Sequence, residues 1–333
     1  MPPKRRCAVV FIHGLAKKPP SEKLLELWHW GIGRDNPRPD VFAPPNKGLN
    51  LGAKGVVSEL NYYADVFYGE DFDTDISSYY EAEGDAEAEM AADNLGPSEP
   101  APALPASVTL EEQEFLTKFT AKLTANVTAM PVVAGATSPD AGEGSLEIAG
   151  LLPAVWREAV IKKAAMEAYY FLFDKEYVRP DGTKFMVRKE LRERLLANLA
   201  SAAAKAEKIV IISHSMGTMV AYDVLRNCPT CPPIDTLITL GSPLGVKEVQ
   251  AELKAAGADG VDFPAARVRR WINIYDPLDP ICGADPKFLN DFAPVGGKHV
   301  EDVKESNWSK WRHTITHYLA GTRLREHLND AIS

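Results

Sequence analysis

The sequence predicts an α/β fold on a mostly parallel central sheet, and three observations carry that expectation. Short β-branched runs alternate with helical patterns through the second half of the chain, the rhythm of strand–helix–strand crossovers. Runs such as Cys7–Ile12 (CAVVFI) and Lys208–Ile212 (KIVII) are nearly all apolar, as strands buried on both faces must be. The 333 residues are 45% apolar and 25% charged, enough for a large core and incompatible with wholesale disorder. That length suits about two domains, or one large domain with an insertion.

Cys7–Ile12 opens the chain as a strand that ends at His13-Gly14. Tyr62–Tyr68 (YYADVFY), bounded by Gly69, reads as a second strand. From about 70 to 105 the chain is acidic and then rich in Ala and Pro, the composition of a flexible, weakly ordered excursion. Helical patterns follow at Leu110–Ala125 and more strongly at Pro153–Phe173, with a Gly- and Ser-containing linker, Gly135–Gly144, between them. Val187–Ala206 is a helix by propensity, with Leu191, Leu195, Leu196 and Leu199 at helical spacing. Then come a strand at Lys208–Ile212, a helix at Met216–Arg226, a strand at Ile234–Leu240 and a helix at Lys247–Ala256. A strand at Arg270–Tyr275, a last strand at Lys298–Lys304 and a closing helix at His317–Ile332 complete the order. The expected division is a core from 1–69 and 184–333, interrupted by an insertion at 70–183.

Lys and Arg number 37 against 46 Asp and Glu, a formal charge of −9, and no basic stripe is visible, which argues against a nucleic-acid partner. Sixteen acids and no Lys or Arg fall between Gly55 and Thr117, leaving the rest of the chain near +7. That asymmetry marks a separate, solvated segment. No apolar run reaches the length of a transmembrane helix. The basic start, Met1 to Arg6, imitates a signal peptide, but the apolar run after it is short and meets no small-residue cleavage site. Cys228-Pro-Thr-Cys231 has redox or zinc spacing without a second pair or nearby His. With Cys7 and Cys282 these cysteines are expected to be reduced thiols, in a cytoplasmic protein.

Ser213-His214-Ser215-Met216-Gly217 lies between a strand and a helix. A serine nucleophile needs a sharp strand-to-helix turn that lifts its hydroxyl clear of the sheet, with small residues two before and two after it. Ser213 and Gly217 supply them. The helix N-terminus adds backbone N–H groups and a dipole that favour developing negative charge. Helix capping by these serines is the plainer reading, but it does not require the strand, the small pair and Gly217 together.

With these residues the sequence resembles the lipase and esterase branch of the α/β-hydrolase superfamily. Phe11-Ile12-His13-Gly14 matches that family's first oxyanion loop, Ser213–Gly217 its nucleophile elbow, and Thr239–Leu244 the strand end beside its pocket. The resemblance covers the start of the chain and about 205–333, not the stretch from about Glu70 to Phe185. Ser213 stands where the family usually has Gly. The chain opens at what would be the family's third strand, so the sheet is expected to be truncated at its N-terminal edge. The resemblance implies an α/β-hydrolase fold with a large helical and acidic insertion.

It also implies the chain order Ser, acid, His. Asp276-Pro277-Leu278-Asp279-Pro280-Ile281 follows the Arg270–Tyr275 strand, where the acid should stand. Asp279 is the preferred acid and Asp276 the alternative, one of the two serving only the turn. Of seven histidines, His13 belongs to the oxyanion loop, His29 comes too early and His214 is in the elbow. His299 falls at the last strand and His327 in the last helix. His313, followed by Thr314 and shortly afterwards by Tyr318-Leu319, fits the family's base, with His317 the alternative. The oxyanion donors are expected to be the backbone N–H groups of Leu15 and Met216.

The implied reaction is hydrolysis of carboxylic esters through an acyl-enzyme on Ser215, with no metal or cofactor. Thioesterase, amidase and phospholipase chemistry would use the same residues. A hydrolase-like scaffold that only binds, with the acidic insert as its arm, is the reading from another class. The helical part of the insert is either a helix packed on the sheet or a lid over Ser215, and Trp28 and Trp30 are either core residues or cleft lining. The acidic segment would disfavour anionic substrates at the rim, so a soluble ester of modest size is the expected substrate.

Overall fold

A computed structural model describes residues 3–69, 79–80, 85–98, 101–129, 153–282, 285–309 and 311–333. Six parallel strands form the central sheet: β1 (Arg5–Ile12), β2 (Val57–Asn61), β5 (Ala206–His214), β6 (Ile234–Leu240), β7 (Val268–Tyr275) and β8 (Val300–Lys304). Their order is β2-β1-β5-β6-β7-β8. A small antiparallel pair, β3 (Glu176–Val178) and β4 (Lys184–Met186), stands apart.

The continuous apolar runs are explained by burial on both faces. Ala8, Val10 and Ile12 of β1 join one hydrophobic cluster, while Cys7, Val9 and Phe11 join the other. On the first face pack α6 (Val187–Lys205), through Leu191, Leu195 and Leu199, and α7 (Met216–Asn227), through Val220 and Val224. The opposite face receives α1 (Ser21–Gly33), α9 (Ile315–Ala320) and α10 (Thr322–Ile332). The helices of the 70–183 stretch, α4 (Leu110–Ala129) and α5 (Ala154–Leu172), share the first cluster with α6 and α7.

The second strand is not Tyr62–Tyr68. It is Val57–Asn61, and Ala64–Tyr68 forms the short helix α2. At the sheet edge a strand pairs on one side only, so the mixed sequence VSELN suffices there. The aromatic run is buried elsewhere: Tyr63 stacks on His13, and Phe67 packs against Tyr170 and Tyr177. Residues 21–33 form α1, because Leu24, Leu27, Trp28 and Ile32 recur at helical spacing. Trp28 lies at 5.0 Å from Phe11 and is core, whereas Trp30 meets Tyr80 and the Arg34 guanidinium. The closing helix is broken at Gly321, where a Cβ would stand 2.7 Å from the Glu305 carboxylate.

The acidic stretch also departs from expectation where it is described. Residues 86–92 form α3 (Ala86–Ala92), with Met90, Ala92 and Leu95 buried and Glu89 and Asp93 buried beside them. Composition counts charges but not their partners, and here Asp93 meets Lys18 while Glu89 meets His317. The Gly135–Gly144 linker lies outside the described residues.

α7, which starts at the sheet's centre, is tied sideways to α6. The fully buried Asp223 accepts from Arg188 at 2.6 Å and from Arg192 at 2.6 and 2.7 Å. Burial raises this carboxyl, but the two guanidiniums outweigh it and hold it below the usual range. Asp223→Ala would strand both cations and should cost about 3 kcal/mol. A urea midpoint that moves by less than about 1 kcal/mol at unchanged slope would contradict this role.

Candidate active site

Strand order reverses between β1 and β5, since β2 lies on one side and β6 on the other. In open α/β sheets such a reversal point, at the carboxyl ends of the strands, is where sites are placed. Ser215 sits at this point, directly after β5 and as N-cap of α7. Its backbone is at φ 53°, ψ −128°, a region that non-glycine residues adopt only when their surroundings hold them there. The Ser215 N–H donates to the Leu240 carbonyl at 3.1 Å, and its own carbonyl accepts from the N–H and hydroxyl of Thr218 at 3.0 and 2.6 Å.

Two glycines make this turn possible. A Cβ on Gly217 would stand 2.3 Å from the His13 carbonyl oxygen, and one on Gly14 would stand 2.8 Å from the Ser215 Cβ. The loop after β1 is thus pressed against Ser215. His13 shapes it from within: Nδ1–H donates to the Gly14 carbonyl at 2.7 Å, and Nε2 accepts from the Tyr63 N–H at 3.0 Å. Burial pushes this imidazole down to about 3, consistent with the neutral tautomer those bonds require.

His313 and Asp279 complete a continuous hydrogen-bonded chain. His313 Nε2 is 2.8 Å from Ser215 Oγ, and Nδ1 is 2.8 and 2.9 Å from the two Asp279 oxygens. Asp279 also accepts from the Tyr318 hydroxyl at 2.7 Å and the Ile281 N–H at 2.8 Å. Burial raises this carboxyl, but the His313 charge and the bonds from His313 and Tyr318 outweigh it and hold it at about 2. Both side chains are buried, and Ser215 is 1% exposed.

Asp276 and His317, the alternatives for acid and base, stand elsewhere. Asp276 accepts from the Asn307 N–H at 2.7 Å, from Arg312 at 3.1 Å and from the Leu278 N–H at 2.8 Å, bracing the loop that carries His313. His317 Nε2 is 2.8 Å from Glu89 and its ring lies 3.8 Å from Trp308. His214, in the turn before Ser215, donates from Nε2 to the His313 carbonyl at 2.9 Å, which fixes the backbone of His313.

Sequence reasoning missed a second layer of polar side chains. The 85–98 segment joins the loops on either side of Ser215. Glu89 accepts from Ser309 at 2.5 Å, Asp93 pairs with Lys18 at 3.7 Å, and Asn94 donates to the Lys17 carbonyl at 3.2 Å. From α5, Lys163 donates to the Gly96 carbonyl at 2.7 Å, and Glu167 accepts from the Ala16 N–H at 2.8 Å. A signal existed for Glu167, a lone acid on the apolar face of a helix. Nothing in the composition of 81–93 marked Glu89 or Asp93 from its neighbours.

Two cavities lie away from the serine. One of about 520 Å³ lies between α4 and α5, lined by Leu116, Thr120, Ile161 and Met166. The other, of about 1100 Å³, is lined by Phe67, Tyr68, Tyr170, Tyr177, Lys17 and Arg179. Ser215 lines neither of them. Among the described residues no group of three or more His, Cys, Asp or Glu could hold a metal ion, and no helix is long and apolar enough to cross a membrane.

Residues 157–257 match the model of the PGAP1-like alpha/beta domain, a span from α5 to α8 (Lys247–Leu253) that contains Ser215. The match begins inside the stretch that the motifs alone left unassigned. No curated protein matches the sequence. Among solved structures, an S-formylglutathione hydrolase from Agrobacterium tumefaciens is similar at 11% identity and a TM-score of 0.36, over 99% of this chain and 84% of that one. An uncharacterized protein from Pseudomonas aeruginosa is similar at 8% identity and 0.32, over 98% of this chain and 46% of that one. The parallel six-stranded sheet with its flanking helices and the strand-to-helix turn at Ser215, together with the domain match over 157–257, give this chain a fold of the α/β-hydrolase type.

Proposed function

We propose that the protein is a serine hydrolase that cleaves carboxylic esters, with Ser215 as nucleophile, His313 as base and Asp279 as the acid that orients it. One observation carries this reading: an unbroken Ser215–His313–Asp279 chain at 2.8 Å steps that ends on a serine held at φ 53°. In the first half-reaction His313 Nε2 takes the Ser215 proton while Oγ attacks the ester carbonyl. The N–H groups of Leu15 and Met216 face the developing oxyanion, one from each of the loops that Gly14 and Gly217 press together. His313 then returns the proton to the departing alcohol. In the second half-reaction it activates water, which releases the acid from Ser215. Asp279 keeps the proton on Nδ1, so that Nε2 stays free to accept.

Thioesters and amides would be cleaved by the same steps, and the geometry does not favour one of them. A second reading has its own support: Ser215 is 1% exposed, as it would be in a closed scaffold that binds without turnover. A fluorophosphonate probe separates the two.

Wild type should label covalently and hydrolyse short p-nitrophenyl esters, and Ser215→Ala should lose about 10⁴-fold or more in kcat. His313→Ala and Asp279→Asn should each lose about 10³- to 10⁴-fold. A folded wild type that takes no label would reverse the order of the two readings.

The neighbouring residues give a second test. His317→Ala should keep kcat within about tenfold of wild type, because its contacts run to Glu89 and Trp308 rather than to Ser215. Asp276→Asn should lower the melting temperature while costing less activity than Asp279→Asn. Equal or larger activity losses at 276 and 317 would exchange the assignments.

A further inference from the structure

α5 carries two acids, Glu158 on its exposed side and Glu167 on its buried side. Glu167 is 1% exposed, and one oxygen, Oε1, accepts both the Ala16 N–H at 2.8 Å and the Tyr68 hydroxyl at 2.7 Å. Ala16 follows Leu15 in the loop after β1 and sits at φ 70°, a conformation that a residue with a Cβ keeps only when something outside holds it. We propose that Glu167 is a positioning residue for the oxyanion loop: it fixes the peptide after Leu15 and thereby the aim of the Leu15 N–H. The proposal rests on the serine-hydrolase reading and adds a residue to it.

The tight packing makes this anchor consequential. Because a Cβ on Gly14 would lie 2.8 Å from the Ser215 Cβ, the loop cannot shift without moving relative to the nucleophile. Oxyanion donors work only when held at hydrogen-bond distance from the place where charge develops. An anchor on that loop therefore acts in the transition state more than in ground-state binding.

The groups facing Glu167 are Lys18 and the Ala16 N–H from the loop after β1, Lys163 from α5 itself, Tyr63 and Tyr68 at α2, and Tyr177 from β3. Burial outweighs the hydrogen bonds and the two lysines and brings the carboxyl up to about 7. An ionised carboxylate accepts an N–H more strongly than a neutral acid does. The loop is therefore held best above that pH and loosens below it.

The test uses the full chain, with Glu167→Ala and Glu167→Gln beside wild type and Ser215→Ala as control. Hydrolysis of a short p-nitrophenyl ester and the rate of fluorophosphonate labelling are followed from about pH 5.5 to 8.5. Glu167→Ala should lower kcat about 10- to 100-fold with KM within about threefold. Glu167→Gln keeps an acceptor oxygen but a weaker one, as the neutral acid is, so its kcat should lie between those of Glu167→Ala and wild type while one ionisation is lost. Its activity should fall less steeply on the acid side than that of wild type.

Stability gives an independent reading. A carboxyl near 7 when folded and near 4.5 when unfolded binds more protons in the folded state between those values. Wild type should therefore lose stability relative to Glu167→Gln as pH rises through that window. Unchanged kcat in Glu167→Ala, or an acid limb in Glu167→Gln that superimposes on wild type, overturns the proposal and leaves the serine-hydrolase reading standing. Should Glu167→Ala fail to fold, the acid limb of Glu167→Gln decides alone. A wild type that neither labels nor turns over removes both.

Discussion

The site depends on a close approach that only two missing Cβ atoms allow. The end of β1 and the first turn of α7 come so near that a side chain on Gly217 would overlap the His13 carbonyl, and one on Gly14 would strike Ser215. Both segments leave the sheet at the point where strand order reverses, so each is free to turn away from the other. They are instead forced together. Ser215 takes a backbone conformation that its own chemistry disfavours and that only its surroundings maintain.

Holding that arrangement requires many buried polar groups, and nearly identical local sequences are used differently. Asp276-Pro277-Leu278 and Asp279-Pro280-Ile281 are repeats of one short pattern. In each, the carboxylate accepts from the N–H two residues on, as a turn-forming Asp does. What separates them is the second set of partners. Asp279 faces His313 and Tyr318 and is held at about 2, whereas Asp276 faces Arg312 and Asn307, where burial prevails and raises it. One carboxyl orients an imidazole, and the other braces the loop on which that imidazole is mounted.

The parallel sheet and the elbow were legible because their signals are local: uninterrupted apolar runs and small residues around one serine. The preference for Asp279 and His313 came from resemblance, since both candidates of each pair satisfy the same spacing. What the sequence hid were contacts between segments far apart in the chain. Edge position is not written in VSELN, so the more apolar Tyr62–Tyr68 drew the strand assignment although its aromatics are buried against His13 and α5. The acids at 81–93 look alike in sequence, yet Glu89 and Asp93 are buried on His317 and Lys18. Glu167 finds its partner 151 residues away.

Those distant contacts also bear on access. Ser215 is almost fully covered, so a molecule from solvent reaches it only after some part of its surroundings moves. The 85–98 segment binds the loop after β1 through Lys17 and Lys18, the loop after β8 through Ser309, and α9 through His317. It therefore links two walls, the loop after β1 and the loop that carries His313. Releasing it exposes two buried carboxylates, Glu89 and Asp93, whose partners stay behind on those walls. Such a release is costly unless water or substrate replaces the lost partners at once. The glycines and the Glu167 contact to Ala16 hold the loop after β1 against Ser215, and this strap holds the two walls together, so the same bonds that hold the site in register also oppose its opening.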